Sequence, residues 1–238
     1  MSITLNGTTG ISTPDITSTT APSLVGTNFT SLPSASLTGA LPAIDGSALT
    51  GVGGLQTLIS TTVVSVSATE VDISWSNTGY SQIRFEFENL RPVFNDVTIQ
   101  FRLSNDAGAT FFGTGSEYES VAWQGISTGT QTFLGASNDR ILVSGNTLYY
   151  QGNQQHEGLY GSLSLYNAVT PSGGAGTGAA KAGSFDVTYS ETNEQTISSS
   201  GGWKLVNKSL GVDINAIRIY YSSGNVYLNS TIRVIGIT

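Results

Sequence analysis

The sequence predicts an all-β protein: an extended fibre segment over residues 1–55, followed by an antiparallel β-sandwich of jelly-roll type over residues 56–238. Three observations carry this expectation. The 238 residues include 32 Ser, 30 Thr and 29 Gly, and such residues disfavour helix, because short hydroxyls bond their own backbone and Gly weakens helix interiors. From about Gln56 onward, apolar and polar residues alternate in short runs bounded by turn formers, the pattern of half-buried strands. Before that point the composition is different. Residues 1–55 hold two charges, Asp15 and Asp45, one aromatic, Phe29, and four of the six prolines.

A segment so poor in apolar side chains cannot bury enough surface by itself to offset the entropy of ordering. Leu-Thr-Gly occurs at Leu37-Thr38-Gly39 and again at Leu49-Thr50-Gly51, with Ile44-Asp45-Gly46 between them. Apolar residues sit singly at Leu32, Leu37, Leu41, Ile44, Leu49 and Val52. That spacing fits a chain wound about a symmetry axis, each residue meeting its copies. A flexible Ser/Thr/Gly linker is the other reading the composition permits.

The sandwich is read strand by strand. Ile83 to Glu88 places Ile83, Phe85 and Phe87 on one face and Arg84, Glu86 and Glu88 on the other. Val97 to Leu103 continues the alternation, and Phe185 to Tyr189, Ile217 to Tyr221 and Ile232 to Val234 repeat it. Weaker runs lie at Thr62 to Val66, Val71 to Trp75, Ser120 to Gln124, Ile141 to Val143, Leu148 to Gln151 and Leu159 to Tyr166. Turn signals separate them at Asn77-Thr78-Gly79, Ser144-Gly145-Asn146 and Ser222-Ser223-Gly224-Asn225. Pro171 to Gly183 reads as a long exposed loop. Spacing of this kind suits a sandwich or jelly roll.

Charge and reactive residues narrow the function. Only 11% of residues are charged and the net charge is −7, which argues against a nucleic-acid partner or an anionic membrane surface. There is no Cys and a single His, His156, so thiolate chemistry is out and a conventional Ser-His-Asp triad has little to build on. No run of 18 apolar residues occurs and the first residues lack a signal-peptide pattern. The expected product is made in the cytosol without membrane insertion or signal-directed export.

The sharpest short motif is Ser104-Asn105-Asp106-Ala107-Gly108-Ala109-Thr110-Phe111. It resembles the Asp-box hairpin that recurs in sialidase propellers, but it occurs once here and the six arginines are scattered. A turn is the expected role: Asp accepts backbone N–H groups and Gly supplies a positive φ. Glu86 with Glu88, and Glu117 with Glu119, are paired acids at i and i+2. Glycoside hydrolysis needs one acid with a raised pKa, and these read instead as solvated strand faces. Asn95-Asp96 and Asn138-Asp139 read as turn formers before they read as Ca²⁺ ligands. The expectation is a non-enzyme with no metal and no cofactor.

Rings flanked by amides are what a sugar-binding surface uses, a flat apolar platform with hydrogen-bonding rims. Trp123, Gln124, Tyr149, Gln151, Asn153, Gln155, His156 and Tyr160 form the candidate ligand-binding set. Core or subunit packing is the competing role for the rings.

Several segments together resemble bacteriophage tail-fibre proteins. Ile3 to Ile16 is similar to their N-terminal segment, and Leu41-Pro42-Ala43-Ile44-Asp45-Gly46-Ser47-Ala48-Leu49-Thr50-Gly51-Val52 to their linker. Ile83 to Pro92, Val97 to Phe101, Ser104 to Gly108 and the closing strands Ile217 to Tyr220 and Thr231 to Ile237 resemble a β-sandwich common at the C-terminal end of phage fibres. The resemblance implies a homotrimeric virion protein. Residues 1–55 would dock on other tail or baseplate proteins, and the sandwich would meet a host surface polysaccharide. A head fibre or capsid decoration with a purely structural role is the alternative.

Overall fold

A computed structural model describes residues 56–76, 79–129, 131–143, 151–168, 181–191, 194–206 and 213–238. The expected fibre segment, Tyr149 and most of the expected 171–183 loop lie outside these residues. Alternation of apolar side chains builds two antiparallel sheets, and no helix occurs among the described residues.

Twelve strands follow in order: β1 (Gln56–Val63), β2 (Glu70–Ser74), β3 (Gln82–Leu90), β4 (Ile99–Ser104), β5 (Tyr118–Ile126), β6 (Gln131–Asn138), β7 (Ile141–Leu142), β8 (Leu159–Tyr166), β9 (Ala182–Ser190), β10 (Thr196–Leu205), β11 (Ala216–Tyr221) and β12 (Thr231–Ile237). The large sheet has the order β1-β12-β3-β8-β9-β10-β5-β6, and the small one β2-β11-β4-β7. All five strong alternating runs fall on strands. Two differences stand out. β1 begins at Gln56, ahead of the expected Thr62. β6 and β10 were not anticipated at all, because β10 reads Thr-Ile-Ser-Ser-Ser-Gly-Gly-Trp-Lys-Leu and its Ser-Gly run mimics a linker.

The inner faces share one core. Ile83, Phe85 and Phe87 of β3 are buried, as are Ile99, Phe101 and Leu103 of β4 and Ile217 and Ile219 of β11. Phe87 stacks on Phe101 across the sheets with centroids 5.3 Å apart, and Trp75 meets Phe85 edge-on at 5.2 Å. Each such ring removes a large apolar area from water and fixes the sheets face to face.

The Asp-box segment is a turn, as its chemistry predicts. Asp106 accepts hydrogen bonds from Ser104 Oγ at 2.6 Å, Thr110 N at 2.8 Å and Thr110 Oγ1 at 2.6 Å. Ala107 and Gly108 have φ of +58° and +92°, and the chain returns so that Phe112 N–H donates to Leu103 O at 2.9 Å. Tyr118 ties this turn to the large sheet: its buried hydroxyl accepts from Leu103 N at 2.9 Å and donates to Phe112 O at 3.3 Å. Burial pushes the Tyr118 phenol well above its ordinary value. The adjacent Gly113–Glu117 stretch is organised by Glu117, a buried carboxylate that accepts from Gly113 N and Thr114 N. It is not the solvated acid that its spacing from Glu119 suggests.

Hydrogen bonds from Ser104 and Thr110 hold the Asp106 carboxyl down at about 2, against 3.8 for an ordinary Asp. A depressed folded-state value stabilises above the unfolded one, and that contribution is lost as pH falls. Asp106→Asn should therefore cost a pH-independent part plus a part that is full above pH 3.8 and fades toward about 2. Urea denaturation of both proteins across that range measures it. A difference that is flat with pH contradicts the turn's charge-assisted bonding.

Candidate functional site

The outer face of the large sheet is where the structure leaves surface uncommitted. Register places its outward side chains in cross-strand rows. Tyr160, Thr188, Ser198 and Gly125 form one row on β8, β9, β10 and β5, and Ser162, Asp186, Ser200 and Trp123 form the next. Ser164, Ser184, Gly202 and Val121 follow, then Tyr166, Ala182, Lys204 and Glu119. The middle strands present hydroxyls together with Asp186, Lys204, Ala182 and Gly202, and β8 and β5 carry large apolar groups: Trp123 is 51% exposed, Tyr160 46% and Val121 41%. Trp123 and Tyr160 are three strand spacings apart, about 14 Å across the sheet.

Elsewhere the sheet faces carry ion pairs, while exposed apolar side chains lie at the β1 edge (Leu58, Val63) and between strands (Val66, Phe94). On the small sheet Arg218 forks onto Asp72 with both contacts at 2.8 Å and reaches Glu70 at 2.9 Å. Arg102 and Arg140 both engage Asp139. On the β12–β3 part of the large sheet, Arg233 pairs with Glu88 at 2.8 Å and Arg84 with Glu86 at 3.0 Å. Over β8–β9–β10–β5 the charged groups are Asp186 and one pair, Lys204 with Glu119 at 2.7 Å.

A trough of about 640 Å³ lies in this face. Gly202, Gly135 and Ala182 line it with Val121, and the Lys204–Glu119 pair stands at its side. Its size falls within the usual range for small-molecule sites, roughly 300–1,000 Å³.

The expected ligand-binding residues divide three ways. Trp123 and Tyr160 lie on this exposed face. Asn153, Gln155 and His156 lie on the connection before β8, with Asn153 N bonded to Asn95 Oδ1 at 2.8 Å and His156 Nε2 3.9 Å from Glu194 Oε1. Gln124 and Gln151 are fully buried and belong to the interior. Gln151 Nε2 donates to Leu90 O at 2.6 Å and Glu157 O at 3.2 Å, and its Oε1 accepts from Tyr221 at 3.2 Å. Gln124 Nε2 donates to Tyr189 Oη at 3.2 Å. Asn95 Oδ1 accepts from the distant Asn153 N and Asp139 pairs with Arg102 and Arg140, and no group of three or more metal-ligating His, Cys, Asp or Glu occurs among the described residues.

Sequence reasoning missed Val121, Ala182, Gly202 and Lys204 as surface-site residues, and read Glu119 only as a solvated acid. The available signal was the Val121-Ala122-Trp123 alternation, which puts a valine and a tryptophan on one face. β10 gave no such signal.

No family model matches the chain, and neither the curated proteins nor the solved structures contain a match.

Replacing Gln151 by Ala strands a buried hydroxyl and two carbonyls, each worth about 1–3 kcal/mol when left without a partner. Gln151→Ala should lower stability by about 2 kcal/mol or more, whereas His156→Ala should stay within about 0.5 kcal/mol. Chemical denaturation of the two variants checks this, and equal costs would contradict the burial of Gln151.

Proposed function

We propose that the chain is a bacteriophage tail fibre, a structural virion protein whose jelly-roll-like sandwich attaches the particle to a host surface glycan. The observation that carries this reading is the outer face of β8, β9, β10 and β5. Two exposed rings flank rows of hydroxyls on one sheet face. Ring faces stack on the apolar faces of sugars, and short hydroxyls exchange hydrogen bonds with sugar hydroxyls at little cost in side-chain entropy. Neither an activated nucleophile nor a desolvated acid pair stands on this face, so binding without turnover is the reading its chemistry supports.

A homotrimer agrees with β1, the edge strand that follows residues 1–55. Leu58 is 60% exposed and Val63 55%, and an apolar edge of this kind invites pairing with another chain. Three copies per fibre turn weak single sites into strong attachment through avidity. In this reading residues 1–55 dock on tail or baseplate proteins.

The purified full chain should bind host cells and compete with virions for attachment. Trp123→Ala combined with Tyr160→Ala should remove most of that competition with an unchanged melting temperature. A double variant that competes as well as the unaltered chain would contradict the assignment of this face.

A further inference from the structure

Gly201 and Gly202 are neighbours in the middle of β10 and answer to different constraints. A Cβ on Gly201 would meet the Val121 carbonyl oxygen at 2.0 Å and the Phe185 ring at 2.7 Å, so close packing demands glycine there. A Cβ on Gly202 would have a single neighbour, the Gly183 carbonyl oxygen at 3.5 Å, an ordinary contact. Position 202 accommodates a Cβ without a clash, and any side chain there would raise the strand propensity over glycine. Folding does not account for glycine at 202; an open trough does.

The chemistry of the trough limits what can sit in it. Its floor is Gly202, Gly135 and Ala182, on strands whose backbone groups are engaged in the ladders of β5, β6, β9 and β10. The backbone of the floor therefore offers apolar contact rather than free donors, and Trp203, whose buried indole N–H has no partner among the described residues, lines the same trough. The charged groups at its side, Lys204 and Glu119, are 2.7 Å apart and neutralise each other. An anionic or cationic ligand would have to displace one member of the pair, while a neutral ligand can donate to Glu119 and accept from Lys204 with the pair intact. Within the trough, the space over Gly202 is what a side chain at that position would occupy, and Trp123 stands two residues from Val121 on the same face.

Building on the glycan reading above, we infer that this trough takes a neutral sugar bearing a methyl group, as an N-acetyl or a 6-deoxy substituent. The methyl sits over Gly202 and the sugar ring lies beside Trp123. The shared requirement is one small apolar projection on an otherwise hydroxylated, uncharged ring.

The test is a set of immobilised oligosaccharides binding the full chain: N-acetylglucosamine against glucose, 6-deoxy-D-galactose against D-galactose, and glucuronate as the acidic control. At least one methyl-bearing sugar should bind about tenfold more tightly than its parent, the scale of a methyl group in an apolar pocket. Glucuronate should gain nothing over glucose. Gly202→Val should erase the preference with a melting temperature no lower than that of the unaltered chain, and Gly202→Ala, which adds only the Cβ, should reduce the preference. Which pair shows the preference identifies the substituent. Equal binding of methyl-bearing sugars and parents, or a preference that survives Gly202→Val in a folded protein, overturns the inference. If Trp123→Ala still abolishes binding in that case, the glycan reading stands and only the trough assignment falls. If no sugar binds and Trp123→Ala adsorbs to host cells like the unaltered chain, both fall.

Discussion

The close approach of β8, β9, β10 and β5 is the constraint from which the rest of the surface follows. At Gly183 a Cβ would come within 1.8 Å of the Ser164 carbonyl oxygen, and at Gly201 within 2.0 Å of that of Val121. Both positions admit only glycine, and both lie on the inner side of their strands. A slip of one residue in either pairing would turn every side chain to the opposite face and drive a Cβ into a neighbouring carbonyl. The glycines thus lock the register, and the register sets the outer rows: Tyr160 with Thr188, Trp123 with Ser200, Glu119 with Lys204.

Charge is distributed by the same logic. Arg218, Arg102, Arg140, Arg84 and Arg233 all engage carboxylates on other surfaces. Exposed pairs contribute little to stability, but they keep those surfaces hydrated. The face over β8–β9–β10–β5 presents hydroxyls and rings, with Asp186 and the Lys204–Glu119 pair as its charged groups. With no unpaired cation among the described residues, this face has little to hold an anion and suits a neutral partner in the proposed reading. The low charge of the whole chain, 11% of residues, is thus matched within the sandwich by a particular patch.

What the sequence made legible was set by side-chain contrast. β3, β4, β9, β11 and β12 alternate large apolar with polar residues, so their inner faces could be named directly. β10 alternates Ile197, Ser199, Gly201 and Trp203 against Ser198, Ser200 and Gly202, and where both faces carry Ser and Gly the period vanishes. The candidate site is read from aromatic and amide residue types, and of these Trp123 and Tyr160 lie exposed on one sheet face. Gln124 and Gln151 carry the same amides but are consumed by Tyr189 and Tyr221 in the interior. A residue's type does not reveal whether its hydrogen bonds are already taken. The groove-forming Gly202 was invisible because its contribution is the absence of a side chain.

Whether a host surface polysaccharide touches the face over β8–β9–β10–β5 tests the proposed glycan binding most directly. Hydrogen–deuterium exchange of the full chain, with and without host surface polysaccharide, reads this strand by strand. Protection should appear on β8, β9, β10 and β5, centred on Trp123 and Ser200, with the ion-paired face of β2, β11 and β4 unchanged. Protection confined to the Asn153–His156 connection or to the small sheet would contradict the account.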